Sequence, residues 1–315
     1  MLVVAAQLKL ADHLAGGPRK SSEVADELGM NAPAFHRFMR SLAGMGLLSE
    51  VASATFALTP LGEALQTGAP GSAWASILTL GGEVGRKSWD GLLYSLKTGK
   101  TGMEEAFGQP LFDYLAERPE AASLFSETMV GFHGAEPPAV AAAYDFGAFA
   151  SIVDVGGATG NLLVHILERH KSPRGVLFDL AHVVAEAPPL IASHGMTDRV
   201  SIESGSFFDG VPRGHDAYVL SHIIHDWDQD QCQTILRNCR SAIDPKGRLL
   251  IVEMVLPEGD TPHLGKMLDM MMLVGPGGQE RTPSEYATLL NRAGFELTKV
   301  VPTASDVSIV EAVPI

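Results

Sequence analysis

Cysteine is scarce in this chain: the only two, Cys232 and Cys239, lie seven positions apart on one stretch of helical periodicity. Their directions fit a shared buried stripe and not a disulfide, so they read as reduced core thiols in a cytoplasmic protein. Positive charge is also short. Lys and Arg total 23 against 37 Asp and Glu, a formal net charge of −14, which argues against a nucleic-acid backbone as the main partner. No apolar run approaches the length of a membrane span. Residues 1–10 are apolar but interrupted at Gln7 and Lys9. Without a basic start or a convincing cleavage site, they are expected to form an amphipathic helix and not a signal peptide. Internal repeats and low-complexity segments are absent. What remains is a chain of 315 residues, 46% hydrophobic, long enough for two domains with sizeable cores.

Residues 1–80 are read as the first domain. Ser21 or Ser22 is placed to cap a short helix through Leu28, stopped by Gly29. A second helix is predicted from about Pro33, with Phe35, Phe38, Met39 and Leu42 on one face. Gly44 and Gly46 break it before a β-ribbon over residues 47–58. Helix, turn, helix and ribbon is the pattern of a winged helix, so DNA binding has to be weighed. Lys9, Arg19, Lys20, Arg37 and Arg40 are outnumbered by Asp12, Glu23, Asp26, Glu27, Glu50 and Glu63. A DNA reader needs a basic face, so the segment reads as a dimerisation platform instead. Its first helix carries Leu2, Val3, Ala6, Leu10 and Leu14 with no obvious internal partner. Covering that stripe with a second copy predicts a two-fold dimer.

Residues 81–315 form the second domain, of which 81–145 is a helical connector rich in aromatics and methionine. Trp74 just before it, with Trp89, Tyr94, Phe107, Phe112, Tyr114, Phe125, Met129 and Phe132 within it, are expected to be mostly core. Because small-molecule pockets form between domains, Trp89, Phe112, Met129 and Phe132 are also candidates to line a substrate cavity, with Met267, Met270 and Met271 farther on. Such a lining suits an apolar, aromatic ligand.

From Ala150 strands and helices alternate, the sign of a doubly wound α/β sheet. Ile152-Val153-Asp154-Val155 reads as a buried parallel strand, followed by Gly156-Gly157-Ala158-Thr159-Gly160 and a helix with Leu162, Leu163, Ile166 and Leu167 inward. A strand, a glycine turn and a helix N-terminus make a nucleotide-cofactor pocket at the carboxyl end of a sheet. The spacing D-x-G-x-A-x-G is not the G-x-G-x-x-G of dinucleotide sites, and it points to S-adenosylmethionine, which has no pyrophosphate to seat. Asp154, Gly156, Gly157 and Gly160 are the candidate cradle. The next strand ends at Asp179, followed by Leu180; a carboxylate there can accept from a ribose diol, the competing role being a cap on the next helix. A third strand, residues 199–202, leads to Ser206 and Phe207, the latter placed to pack on an adenine ring.

The fourth strand, from Ala217 through Ser221 and His222, carries His225-Asp226-Trp227 at its end. Imidazole is the side chain suited to taking a proton near neutral pH, which makes His225 the candidate base. His222 is read as a core or channel residue inside the strand, and since strand residues three apart face opposite ways, the two histidines do not form a zinc pair; no metal site is expected. A helix from about Gln229 buries Cys232, Ile235, Leu236, Cys239 and Ile243. Strand five ends in a buried acid, Glu253, for which His225 is the obvious partner. Glu280 precedes Thr282-Pro283-Ser284-Glu285, a capping box, and interaction with that helix dipole is its alternative role. Residues 295–301 and 307–313 close the sheet as an antiparallel edge pair.

These residues resemble the small-molecule O-methyltransferases that use S-adenosylmethionine without metal, among them plant caffeate and flavonoid enzymes, acetylserotonin methyltransferase and bacterial antibiotic-tailoring enzymes. The likeness spans nearly the whole chain, and His225-Asp-Trp-x-Asp and Gly277-Gly-x-Glu-Arg-Thr are its most specific parts. It implies a Rossmann-like methyltransferase sheet, His225 as general base flanked by Glu253 and Glu280, Asp179 on the ribose, Asp226 beside the acceptor, and a homodimer. The chain departs from the family pattern at Ala158 in the glycine turn, at Ser206-Phe207, and at Ser221 where plant members often carry Lys. Against methyl transfer stand an NAD-dependent oxidoreductase, which the glycine spacing disfavours, a ligand-sensing transcription factor, and a relative that keeps the cofactor for another reaction.

Overall fold

The computed structural model describes residues 1–69, 71–134 and 136–315. They divide into two units: residues 1–91 with 103–134, and residues 92–102 with 135–315.

In the first unit, helices Leu2–Gln7 and Leu10–Leu14 are separated by Lys9, whose φ of +48° interrupts the helical path. Strand β1 (Arg19–Lys20), helices Ser21–Glu27 and Ala32–Gly44, and strands β2 (Leu48–Ala52) and β3 (Thr55–Leu58) follow, the strands pairing in the order β1-β3-β2. This is the expected helix–helix–ribbon order. The Asn31 side chain caps the second of these helices by accepting from the Ala34 N–H at 3.1 Å. Phe35, Met39 and Leu42 of that helix are buried with Val24 and Phe56. Two expectations fail here. Ser21 is not a cap: it lies inside its helix, and its hydroxyl is 3.1 Å from His36 Nδ1. The first stripe does have an internal partner, since Ala6, Leu10 and Leu14 are buried within this unit, Leu10 and Leu14 in the same cluster as Phe35 and Met39.

The aromatic stretch also differs from expectation. None of its nine named aromatics and methionine is buried in the single chain, and Phe132 is 49% exposed. Phe125, Met129 and Phe132 sit on the 15-residue helix Pro119–His133 and the others on shorter helices, and rings meet edge-on in the pairs Phe107–Tyr114 and Phe112–Phe125.

The second unit is built on a seven-stranded sheet. In chain order its strands are β4 (Ser151–Val155), β5 (Arg174–Asp179), β6 (Val200–Ser204), β7 (Ala217–Ser221), β8 (Arg248–Glu253), β9 (Phe295–Pro302) and β10 (Ser308–Pro314); in space they run β6-β5-β4-β7-β8-β10-β9. The first five are parallel, and β10 inserts antiparallel between β8 and the edge strand β9. The chain winds outward from β4 through β5 to β6, then returns to β7 on the other side of β4. That reversal opens a crevice at the carboxyl ends of β4 and β7, where ligands of open α/β sheets bind. Helix Gln229–Ala242 packs one face through Cys232, Ile235, Leu236 and Cys239, while helix Asn161–Arg169 packs the other through Leu163, Ile166 and Leu167. Among the described residues, no helix is long and apolar enough to cross a membrane.

Candidate active site

The crevice is assembled from two turns. After β4 the chain enters left-handed backbone at Gly156 (φ +72°), Ala158 (+50°) and Gly160 (+83°). A Cβ at Gly156 would stand 2.5 Å from Ile223 Cδ1, and one at Gly157 would strike the Asp154 carboxyl at 2.5 Å. Both glycines are therefore required by close approach as well as by turning. Ala158 carries its methyl in a conformation that costs an L-residue about 1–2 kcal/mol, and its N–H donates to Asp179 Oδ2 at 2.9 Å. Asp179 Oδ1 accepts from the Leu180 N–H at 2.7 Å, so this carboxylate is fixed across the turn at the end of β5. Burial holds its pKa above the ordinary carboxylate value. Asp154 lies beneath the turn, 2% exposed, with neither carboxylate oxygen hydrogen-bonded among the described residues. Its burial, reinforced by the nearby Asp179 charge, lifts its pKa to about 7. Phe207 reaches the turn as well, its ring edge 3.4 Å from the Gly156 Cβ position, and packs edge-on against Phe208 and Trp227. Ser206 accepts at its hydroxyl from the Phe208 N–H, Ser221 ends β7 half-buried, and Leu180 is largely exposed.

The second turn follows β7. The strand stops at Ser221, and His225 lies on a short 3₁₀ turn, Ile224–Asp226, not on the strand. The expected opposite orientation of His222 and His225 therefore fails: His222 adopts φ +54°, and the two rings are 5.2 Å apart. Three acids meet His225. Its Nδ1 is 2.7 Å from Glu280 Oε1, and Asp226 Oδ1 stands 3.6 Å from Nε2. Glu253 takes the backbone instead of the ring, accepting from the His225 N–H at 3.0 Å and, through its other oxygen, from the Tyr286 hydroxyl. The sequence left open which acid holds the imidazole; in the structure it is Glu280. Burial alone would push the imidazole down, but Asp226, the Glu280 hydrogen bond and the Glu253 charge outweigh it and carry His225 up to about 10. Glu253 itself is pushed up by complete burial, with His225 pulling the other way.

The two motifs meet because Gly278 has no side chain: a Cβ there would fall 1.8 Å from the His225 carbonyl oxygen. Arg281, almost fully buried, donates to the Ile224 and Gln279 carbonyls and so ties the turn to the loop. The capping box forms as expected, with Thr282 accepting from the Glu285 N–H and Glu285 accepting from the Thr282 N–H. Asp269 holds the Glu280 amide at 2.9 Å. The roles of Asp269, Tyr286 and Arg281 are set by these tertiary contacts and are not legible in the sequence pattern. Of the acceptor candidates, Met270 and Met271 are half-buried and Met267 exposed on helix Gly265–Val274 of the second unit. Trp89, Phe112, Met129 and Phe132 belong to the first unit.

Residues 89–296 match the O-methyltransferase domain family, and residues 1–68 match the O-methyltransferase dimerisation domain. The chain belongs to the O-methyltransferase family. Its members take the methyl group from S-adenosylmethionine, and the chain is an enzyme of that kind. It is 43% identical to the phenazine O-methyltransferase PhzM of Lysobacter antibioticus over 100% of this chain and 92% of that one. A solved structure of the O-methyltransferase NcsB1 from neocarzinostatin biosynthesis, in complex with S-adenosylmethionine and 2-hydroxy-5-methyl naphthoic acid, is 31% identical, with a TM-score of 0.87 over 100% of this chain and 95% of that one. Aclacinomycin 10-hydroxylase RdmB of Streptomyces purpurascens is 34% identical over 94% of this chain and 80% of that one.

Proposed function

We propose that this enzyme methylates a phenolic hydroxyl of a small, apolar aromatic acceptor, with His225 as general base. The observation that carries this reading is the buried His225 Nδ1–Glu280 contact. A carboxylate accepting from Nδ1–H leaves Nε2 as the basic atom of the neutral ring. His225 Nε2 takes the hydroxyl proton, and Glu280 stabilises the imidazolium that results. Glu253 and Tyr286 hold the backbone from which the ring projects, and Asp226 supplies further negative charge at Nε2. S-adenosylmethionine, for which the glycine turn and Asp179 provide a fitting cradle, supplies an already activated methyl group. The phenol's ordinary pKa, near 10, matches that of His225, so proton transfer between them is close to thermoneutral.

Acceptor class is supported by the aromatic and methionine side chains left uncovered on each unit, and by relatives named for phenazine and naphthoic acceptors. An intact base and acid pair favours methyl transfer over the hydroxylation named for RdmB. Catalysis is expected without metal, since the proton has a protein acceptor, and turnover in EDTA checks it. The dimerisation-domain match supports a homodimer, read by light scattering, and the buried thiols suit a cytoplasmic setting. The main test is a screen of hydroxylated phenazines, naphthoates and benzoates for release of S-adenosylhomocysteine. Turnover of a hydroxylated member but not of its deoxy analogue is expected. Hydroxylated products without methyl incorporation would overturn the reading.

A further inference from the structure

His222 follows β7 in left-handed backbone, φ +54°, a region that side-chain-bearing residues seldom enter and that clusters at functional sites. Its N–H donates to the Val252 carbonyl at 3.1 Å, so the twisted residue is anchored from β8. Its Nε2 is 2.7 Å from Glu136 Oε2, and the two side chains keep only 15% and 13% of their surface. Glu136 opens helix Glu136–Ala143, which packs along helix Asn161–Arg169, the helix that the glycine turn begins. Next in sequence, Ile223 lies against Gly156. The pair thus stands at the carboxyl ends of β4 and β7, between the glycine turn and His225.

The remaining carboxylates of the crevice have other tasks. Asp179 is bound to the amides of Ala158 and Leu180, Asp154 is enclosed beneath the turn, and Asp226, Glu253 and Glu280 serve His225. The methyl donor carries an amino-acid tail with an ammonium group, and a cation entering a half-buried crevice needs a paired acceptor. Resting on the reading that the glycine turn seats S-adenosylmethionine, we propose that Glu136, positioned by His222, binds the α-ammonium of the cofactor's methionine tail. His222 fixes the carboxylate's direction, and its strained backbone is what brings the ring to Glu136.

Calorimetry with two ligands tests this: S-adenosylhomocysteine, which has the tail, and 5′-methylthioadenosine, which lacks it. Glu136→Gln should weaken S-adenosylhomocysteine about ten- to hundred-fold, the range for a hydrogen bond to a charged group, and leave 5′-methylthioadenosine unchanged. His222→Ala should act in the same direction with a smaller loss, again sparing 5′-methylthioadenosine, which doubles as the control for folding. Equal weakening of both ligands would make the pair structural and overturn the proposal. So would an unchanged S-adenosylhomocysteine affinity, including the case where only the KM of the acceptor rises. Wild-type protein that bound neither ligand would bring down the cofactor reading itself, and the proposal with it.

Discussion

Replacing Glu280 by Gln keeps the shape of the contact at His225 Nδ1 but removes its charge. That contact is 2.7 Å long and fully enclosed. A hydrogen bond to a charged group contributes about 1.5–3 kcal/mol, and a pKa unit corresponds to about 1.4 kcal/mol, so His225 should fall by about 1–2 units from its value of about 10. The sign follows directly. The basic form is populated above the pKa, so wild-type kcat/KM should rise with pH towards a break near 10. In Glu280→Gln the break moves about 1–2 units lower, while the alkaline plateau drops because a weaker base meets the phenol and the imidazolium loses its counter-charge. At neutral pH the two effects oppose each other, and the variant should look milder there than at high pH. The assay is the pH dependence of kcat/KM in both proteins. Coincident breaks, or a wild-type break near the ordinary histidine value, would refute the reasoning. The same shift bears on stability: a raised histidine pKa contributes fully below the unfolded value of 6.5 and is lost as pH climbs through about 10. Alkaline unfolding should therefore begin earlier in wild type than this site's neutral-pH stability alone suggests.

Three further outcomes are expected. Asp179→Ala removes the carboxylate across the glycine turn and should weaken S-adenosylhomocysteine binding by about 1.5–3 kcal/mol; calorimetry with unchanged affinity would displace Asp179 from the ribose. Ala158→Gly relieves a methyl held at positive φ and should raise stability by up to about 1 kcal/mol with cofactor affinity kept, so a lower midpoint in urea would contradict the strain. Tyr286→Phe strips the hydroxyl from Glu253 in a site with no water access and should cost about 1–3 kcal/mol, read by the same urea titration; no loss would mean that Glu253 is satisfied another way.

Much of the crevice was legible because its chemistry is written in local sequence. Glycines needed for close approach have no substitute, so Gly156, Gly157 and Gly278 announce the two turns, and an apolar run ended by His225-Asp226-Trp227 announces a strand end. The misread features depend on tertiary packing. Ile223 and Ile224 continue the apolar run of β7, so nothing in the pattern shows that the strand stops at Ser221; Ile223 instead packs on Gly156 and Ile224 enters the core. Glu136 stands among prolines and alanines with no motif around it, and only the fold brings it to His222. Leu10 and Leu14 find their partners, Phe35 and Met39, on a later helix that only the fold brings against them. The aromatics of residues 74–132 follow helical spacing, which cannot tell a covered face from one left open for a ligand or a second copy.

The claim at the centre of the account is that His225 accepts the acceptor's proton. The direct measurement is the single-turnover rate of methyl transfer in His225→Asn at saturating cofactor, alongside its affinity for S-adenosylhomocysteine. Loss of a general base lowers the chemical step by about 10²–10⁴-fold, and the affinity should stay at the wild-type value because the ring does not form the glycine cradle. A variant that bound S-adenosylhomocysteine normally and still transferred the methyl within about threefold of wild type, far short of that loss, would contradict it.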